Sequence, residues 1–285
     1  MIQLCAFADE ASSSFKEQMA ALQRNGISYI ELRGLDGKNV ASLTKDEAKA
    51  YAAELKAAGI AVWSIGSPLG KVHIDEDFEA YKEKVHHVCA LANIFEAKRI
   101  RMFSFFEAYE KKDLVISHLK EMVEIGKEYG VLMCHENEKA IYGDTLSRVA
   151  ELLDAVPDMR FVYDPANFLE VGEDSDQTLA HLFKRAEYYH IKDVIKKTGE
   201  LVPAGYGDGQ ICRMISMLDK DKEFTMTIEP HLAVFDGYAE IDGTEMKNKF
   251  RFKNNGEAFD AAVEALKACL KKEGYTQTEK GFEKR

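Results

Sequence analysis

Strand-like and helix-like segments alternate from one end of this chain to the other, and few architectures accept that order. A first strand spans 2–7. A helix over 14–24 follows, with Phe15, Met19 and Leu22 at helical spacing and Asn25-Gly26 closing it. A second strand covers 28–32. Thr44 with Glu47 three residues on is a capping box that opens the next helix, which Ala58-Gly59 ends. A third strand at 60–65 gives way to Gly66, Pro68 and Gly70, and Asp75 opens a helix reaching Ala92. The fourth strand is 99–103, followed by a helix over 112–129 that Gly130 stops. Four more strands fall near 131–136, 160–164, 187–191 and 223–229, with helices over 145–155, 176–184, 209–218 and 256–272.

Repeated strand-then-helix units imply a parallel sheet, because parallel neighbours need a crossover and the crossover is usually a helix. Eight units fit an α/β chain closed into a (β/α)8 TIM barrel. An open doubly wound sheet would carry a glycine-rich turn after its first strand, and Ala8-Asp9-Glu10-Ala11 has no glycine. No low-complexity linker divides the chain, so a single barrel domain over 1–273 and a frayed polar tail over 274–285 are expected. Two long loops, 193–207 and 230–255, would lie over the C-terminal mouth.

A net charge of −11 without a basic run argues against nucleic acid as a partner. No apolar stretch approaches the roughly 20 residues of a membrane span. The N-terminus begins at once with strand-like residues and shows no signal-peptide pattern. Five cysteines lack any Cys-x-x-Cys pair, so buried reduced thiols in a cytoplasmic protein are expected.

Four successive strands end in a metal-competent side chain. Val131-Leu132-Met133 runs through Cys134-His135 to Glu136, Phe161-Val162-Tyr163 to Asp164, Tyr188-Tyr189 to His190, and 224–228 to Glu229. In a parallel barrel such positions can meet above the mouth. Alternation then turns His135 toward the helices. Three carboxylates and one imidazole form a hard donor set suited to one divalent ion, Mn²⁺ first, with Mg²⁺, Co²⁺ or Zn²⁺ as substitutes. An ion would also keep three crowded carboxylates ionised. His135, Glu138 and His231 are alternative ligands. Trp63 is a candidate to stack on a sugar face. Glu31, Arg33 and Arg101 are candidates to reach the cavity, and Phe103, Phe105 and Phe106 to wall it.

Phe7-Ala8-Asp9-Glu10, Tyr29-Ile30-Glu31-Leu32-Arg33, Ser64-Ile65-Gly66-Ser67-Pro68, Arg101-Met102-Phe103-Ser104-Phe105, His135-Glu136-Asn137-Glu138, Tyr163-Asp164-Pro165-Ala166-Asn167-Phe168, His190-Ile191-Lys192-Asp193 and Ile228-Glu229-Pro230-His231 together resemble the sugar-phosphate isomerase/epimerase family of xylose-isomerase-like TIM barrels. The resemblance implies metal ligation by Glu136, Asp164, His190 and Glu229, with Glu136 and Glu229 also moving the proton. It sets Asn167 among the substrate-facing residues, where many members have histidine, beside Trp63, Arg33, Arg101 and His231. The basic residue that often follows the His-x-x-Asp motif is not evident.

The expected activity is isomerisation or epimerisation of a sugar, ketose or sugar phosphate. A glutamate moves the proton beside a carbonyl, and the ion acts as a Lewis acid for the enediolate charge. The expected partner is a small carbohydrate, with a homo-oligomer by analogy alone. The alternatives are a dehydratase or aldolase-type lyase acting on a related polyol or keto acid, an apurinic-endonuclease-like hydrolase, and a non-catalytic sugar-binding barrel.

Overall fold

The computed structural model describes residues 1–232, 250 and 252–284. Among them, eight parallel strands close on themselves: β1 (Ile2–Ala6), β2 (Tyr29–Leu32), β5 (Ala61–Ile65), β6 (Arg99–Met102), β7 (Leu132–Glu136), β8 (Arg160–Tyr163), β9 (Tyr188–Ile191) and β12 (Phe224–Ile228). The ring shuts where β12 pairs with β1, from Ile2 opposite Phe224 to Ala6 opposite Ile228. These strands are short and mostly buried on both faces, as expected with side chains filling the bore and helices covering the outside.

The covering helices are α1 (Phe15–Arg24), α2 (Lys45–Ala57), α3 (Phe78–Ile94), α4 (Lys112–Glu128), α5 (Leu146–Ala155), α7 (Ser175–Leu182), α8 (Ile211–Ser216) and α9 (Asn255–Lys272). Their inner stripes explain their seating. On α4, Val115, Leu119, Met122, Val123 and Gly126 are buried at helical spacing. Starts are set by side-chain caps: the Thr44–Glu47 capping box on α2, Asp77 on α3, Asn254 on α9. A short extra helix, α6 (Pro165–Glu170), follows β8 directly, with Pro165 at its first turn and Asp164 as its cap. None of the described helices is long and apolar enough to cross a membrane.

Three hairpins were not anticipated. β3 (Gly34–Leu35) and β4 (Lys38–Asn39) extend the β2 loop. β10 (Asp193–Ile195) and β11 (Glu200–Val202) order the loop after β9. The Asp193 carboxylate gathers that loop by accepting the backbone N–H groups of Gly205, Gly207 and Gly209. A Cβ on Gly207 would fall 2.3 Å from Asp193 Oδ1, so only glycine lets the backbone approach. The third corrects the expectation of a frayed tail. β13 (Tyr275–Thr278) and β14 (Gly281–Lys284) form a hairpin that adds to β1 through Phe282 opposite Ile2. Tyr275 and Phe282 are buried, and a backbone ladder orders the polar residues around them. The second long loop, 230–255, falls outside the described residues over 233–249 and at 251.

The thiols are not all reduced. Cys5, Cys89 and Cys134 are free and buried, but Cys212 of α8 and Cys269 of α9 are disulfide-bonded, with Cα atoms 5.1 Å apart. The sequence carried no short-spacing signal because the two cysteines lie 57 positions apart on helices that meet in the outer layer.

Candidate metal and catalytic site

Each strand end delivers its residue for a local reason. Glu136 is the last residue of β7 and Glu229 immediately follows β12. Asp164 caps α6: its Oδ1 accepts the Asn167 N–H at 3.0 Å, leaving Oδ2 toward the bore. His190 lies in β9 and is fully buried. One ligand-type atom from each of Glu136, Asp164, His190 and Glu229 lies within 4.8 Å of the others. His190 Nδ1 is 2.8 Å from Glu136 Oε1 and 3.1 Å from Glu229 Oε2.

Whether this set fits a divalent ion can be read from its atoms. Asp164 Oδ2 and Glu229 Oε2 are buried yet accept no hydrogen bond of acceptable geometry. Buried carboxylate oxygens rarely go unsatisfied without a role. Three oxygens and one imidazole nitrogen, all converging, match the donor preference of Mn²⁺, Mg²⁺ or Co²⁺, and Zn²⁺ accepts them too. The donors fit.

The charge balance differs from the simple expectation that only an ion could hold three carboxylates together. Each already faces a cation: Arg101 is 3.3 Å from Glu136, Lys192 is 3.2 Å from Asp164, and Arg33 is 2.9 Å from Glu229. Arg33 also forks onto Asp9 and reaches Glu10. Burial alone would lower the His190 imidazole, but the carboxylates of Glu136, Glu31 and Glu229 hold it well above its usual range. Burial likewise opposes charge on Lys192, and Asp164, Glu229 and Glu138 outweigh it, leaving the ammonium held up. Asp164 is pushed up to about 7, by burial and then by Glu136 and Glu229, against the pull of Lys192. Glu229 sits well below the ordinary carboxylate range: its burial is overcome by His190, His231 and Lys192. His231 rises to about 9 because Glu10 and Glu229 outweigh its burial.

The substrate-facing candidates divide. Arg33 and Arg101 do reach the site, and both line a cavity of about 1080 Å³ at the mouth, with Asp9, Lys71 and Phe106. Glu136, Asp164, His190 and Glu229 are not among the residues that line it. Asn167 lies against the cluster: its Nδ2 donates to Asn137 O at 2.8 Å and approaches Glu136 Oε1 at 3.4 Å, while its Oδ1 accepts from Lys192 at 2.6 Å. His231 faces Glu10 and Glu229 at 3.1 and 3.5 Å, a second group of potential donors that shares Glu229.

Trp63 is the correction. It packs beneath the Arg99 guanidinium at 3.9 Å and edge-on to Tyr29 and Tyr188, the residues that begin β6, β2 and β9, and not among the four donors. The register between β2 and β5 slips there, Ile30 opposite Val62 but Glu31 opposite Ser64. His135 turns away from the cluster onto Ser104 Oγ at 2.9 Å, and Glu138 pairs with Lys71 at 3.1 Å. Phe105 packs outward on Phe78 and His118, whereas Phe103 lies under Lys71 and Arg101. Lys192, Asp9 and Glu10 were missed. Lys192 was within reach of the sequence, since it lies two residues beyond His190 and so shares its face.

A closed eight-stranded barrel with carboxylates and a histidine converging at its C-terminal mouth defines a class of metal-competent TIM barrels. The family profile described as xylose isomerase-like TIM barrel matches residues 19–269, and the chain belongs to that family. No curated protein sequence matches it. Among solved structures it is similar to the probable 3-DHS dehydratase AsbF of Bacillus anthracis, at 19% identity and TM-score 0.71, over 94% of this chain and 99% of that one. It is similar also to the IolI protein crystallised with a bound zinc atom, at 16% identity and TM-score 0.70, covering 95% and 98%. A D-allulose 3-epimerase from Methylomonas sp. gives 15% identity and TM-score 0.69, covering 94% and 98%. At these identities the likeness is one of fold.

Proposed function

We propose that the chain is a divalent-metal-dependent isomerase or epimerase of a small ketose, sugar or sugar phosphate. The observation that carries this reading is the convergence of Glu136, Asp164, His190 and Glu229 at the barrel mouth, with one ligand-type atom of each within 4.8 Å of the others. These four residues would hold the ion, Mn²⁺ first. A bound divalent ion would supply Lewis acidity toward the substrate's carbonyl and hydroxyl oxygens.

Glu136 and Glu229 approach the cluster from β7 and β12, which are separated in the barrel by β8 and β9. Carboxylates on different sides of a bound carbon can remove a proton from one face and return it to the other, which is epimerisation; return to the adjacent carbon is isomerisation. Arg33 pairs with Glu229 at 2.9 Å and Arg101 with Glu136 at 3.3 Å, so each candidate base faces a guanidinium group. Substrate oxygens that take up Arg33 and Arg101 would free the two glutamates to face the bound carbon.

A second reading has its own support. Arg101 and Lys192 place two buried cations beside the cluster, an arrangement that suits a keto acid, whose carboxylate they would grip. A keto acid with a β-hydroxyl would lose water after the same proton removal, and a fold neighbour carries a dehydratase name.

Metal analysis of purified protein, then incubation with Mn²⁺, deuterated water and a panel of ketoses, their phosphates and hydroxylated keto acids, separates the two. Deuterium in recovered sugar supports the first reading, and a new unsaturated acid supports the second. Glu229→Gln should lose at least 10³-fold in turnover while keeping its fold. Full activity in that variant ends both readings.

A further inference from the structure

The barrel places a fully buried carboxylate behind the candidate metal site that the proposed chemistry does not use. Glu31 belongs to β2 and is 1% exposed. His190 belongs to β9, and β1 and β12 stand between the two strands in the sheet. Glu31 therefore reaches across the bore. Its Oε2 lies 3.1 Å from His190 Nε2 and accepts the Thr227 hydroxyl at 2.9 Å. Its Oε1 accepts the Tyr188 hydroxyl at 2.8 Å, and that hydroxyl also meets Ser64 Oγ at 3.2 Å.

We propose that Glu31 is a positioning residue: it anchors Nε2–H of His190 so that Nδ1 is the ring nitrogen presented between Glu136 and Glu229. An ionised carboxylate only accepts hydrogen bonds, so Nε2 must carry its hydrogen to face it. In the ion-free protein Nδ1 also carries hydrogen, toward Glu136 Oε1 at 2.8 Å and Glu229 Oε2 at 3.1 Å; a bound ion would replace that hydrogen, and with Nε2–H held by Glu31 the lone pair would lie on Nδ1. The rings of Phe7, at 5.1 Å, and Tyr188, at 5.5 Å, stand edge-on and limit rotation of the imidazole. A buried carboxylate is a poor stabiliser in itself, and an apolar residue would fill the bore at lower desolvation cost. The same residue makes sense as the outer partner of a metal-ligating histidine, since such partners fix the tautomer and strengthen the donor.

The inference rests on the cluster being a metal site, and the test separates the two. Titrate metal-free wild type and Glu31→Gln with Mn²⁺ and with Zn²⁺ by calorimetry, with circular dichroism melts of both. A glutamine that keeps its amide oxygen on His190 offers a neutral acceptor and turns N–H₂ toward Tyr188, and one flipped the other way turns N–H₂ toward His190 and Thr227, so in either case the charged anchor is lost. Expected are similar melts and a Kd weakened about 10- to 100-fold in the variant. A long-range ¹H–¹⁵N spectrum of zinc-loaded wild type should show hydrogen on Nε2 and the ion on Nδ1 of His190. Equal affinities in a folded variant, or hydrogen on Nδ1 in the zinc-loaded protein, would overturn the role of Glu31 while leaving the metal site intact. Failure of wild type to bind either ion overturns the metal reading and this inference with it. If Glu31→Gln does not fold, the wild-type spectrum alone decides.

Discussion

At the scale of single residues, Lys192 is the side chain with the most to reveal. Its ammonium lies 3.2 Å from Asp164 and 2.6 Å from Asn167, so it competes with any ion for the same carboxylate. Lys192→Met should therefore act in opposite directions. The ion-free protein loses about 3–5 kcal/mol, the usual cost of leaving one partner of a buried pair alone. Affinity for Mn²⁺ at pH 8 should rise at least about tenfold, because even at an effective dielectric of 20 the repulsion of one charge a few ångströms away exceeds 1.4 kcal/mol. Urea unfolding and calorimetry check the two halves; weaker Mn²⁺ binding would show that Lys192 supports the site. The ligand-type residues were legible because each terminates an apolar run, a local signal. Arg33 holding Asp9, Glu10 and Glu229 was not, since it joins Glu229 across 196 positions and nothing in the sequence records that distance. Trp63 sits in mid-strand, and nothing in the sequence tells that its ring packs on Arg99, Tyr29 and Tyr188, which begin the neighbouring strands.

At the scale of elements, the packing of α4 on α3 contains a titratable weak point. His118 of α4 stacks on Phe78 of α3 at 3.7 Å between ring centres, edge-on to Phe105, and its Nδ1 is buried without a hydrogen-bond partner. Burial lowers its affinity for a proton, with Glu121 offsetting part of that. A histidine lowered in the folded state is neutral there while the unfolded chain binds a proton below about 6.5, so its contribution is full above that pH and is lost as pH falls. His118→Phe keeps the stack and removes the proton. Its urea midpoint relative to wild type should climb steadily between pH 7 and pH 5; a constant offset would refute this. Elements were legible where periodicity and caps agree, as with Thr44 and Glu47. α6 was not: six residues beginning at Pro165 are too short for a helical repeat to register, and its cap, Asp164, had been read for its charge. The β13–β14 hairpin escaped for a related reason, because polar residues ordered by backbone pairing look like a tail.

At the scale of the molecule, the Cys212–Cys269 bond clamps α8 to α9 in the outer layer. A cross-link closing a loop of 57 residues constrains the unfolded chain by about 4 kcal/mol in the loop-entropy account. Cys212→Ser with Cys269→Ser, or dithiothreitol on the wild type, should lower the melting temperature by several degrees without changing the Kd for Mn²⁺, since neither cysteine touches the mouth. An unchanged melting temperature would mean the clamp adds nothing.

The seam between β1 and β12 has a consequence for biosynthesis. Ile2 meets Phe224, so the first barrel strand waits for the last barrel strand to be made. At 5–20 residues per second that wait is about 10 to 45 s. Throughout it the nascent half-barrel exposes an unpaired flank rich in apolar groups, a template for contact with other chains. Translation speed downstream of β9, and the chaperones that shield that flank, should weigh more on soluble yield than the stability of the finished cylinder.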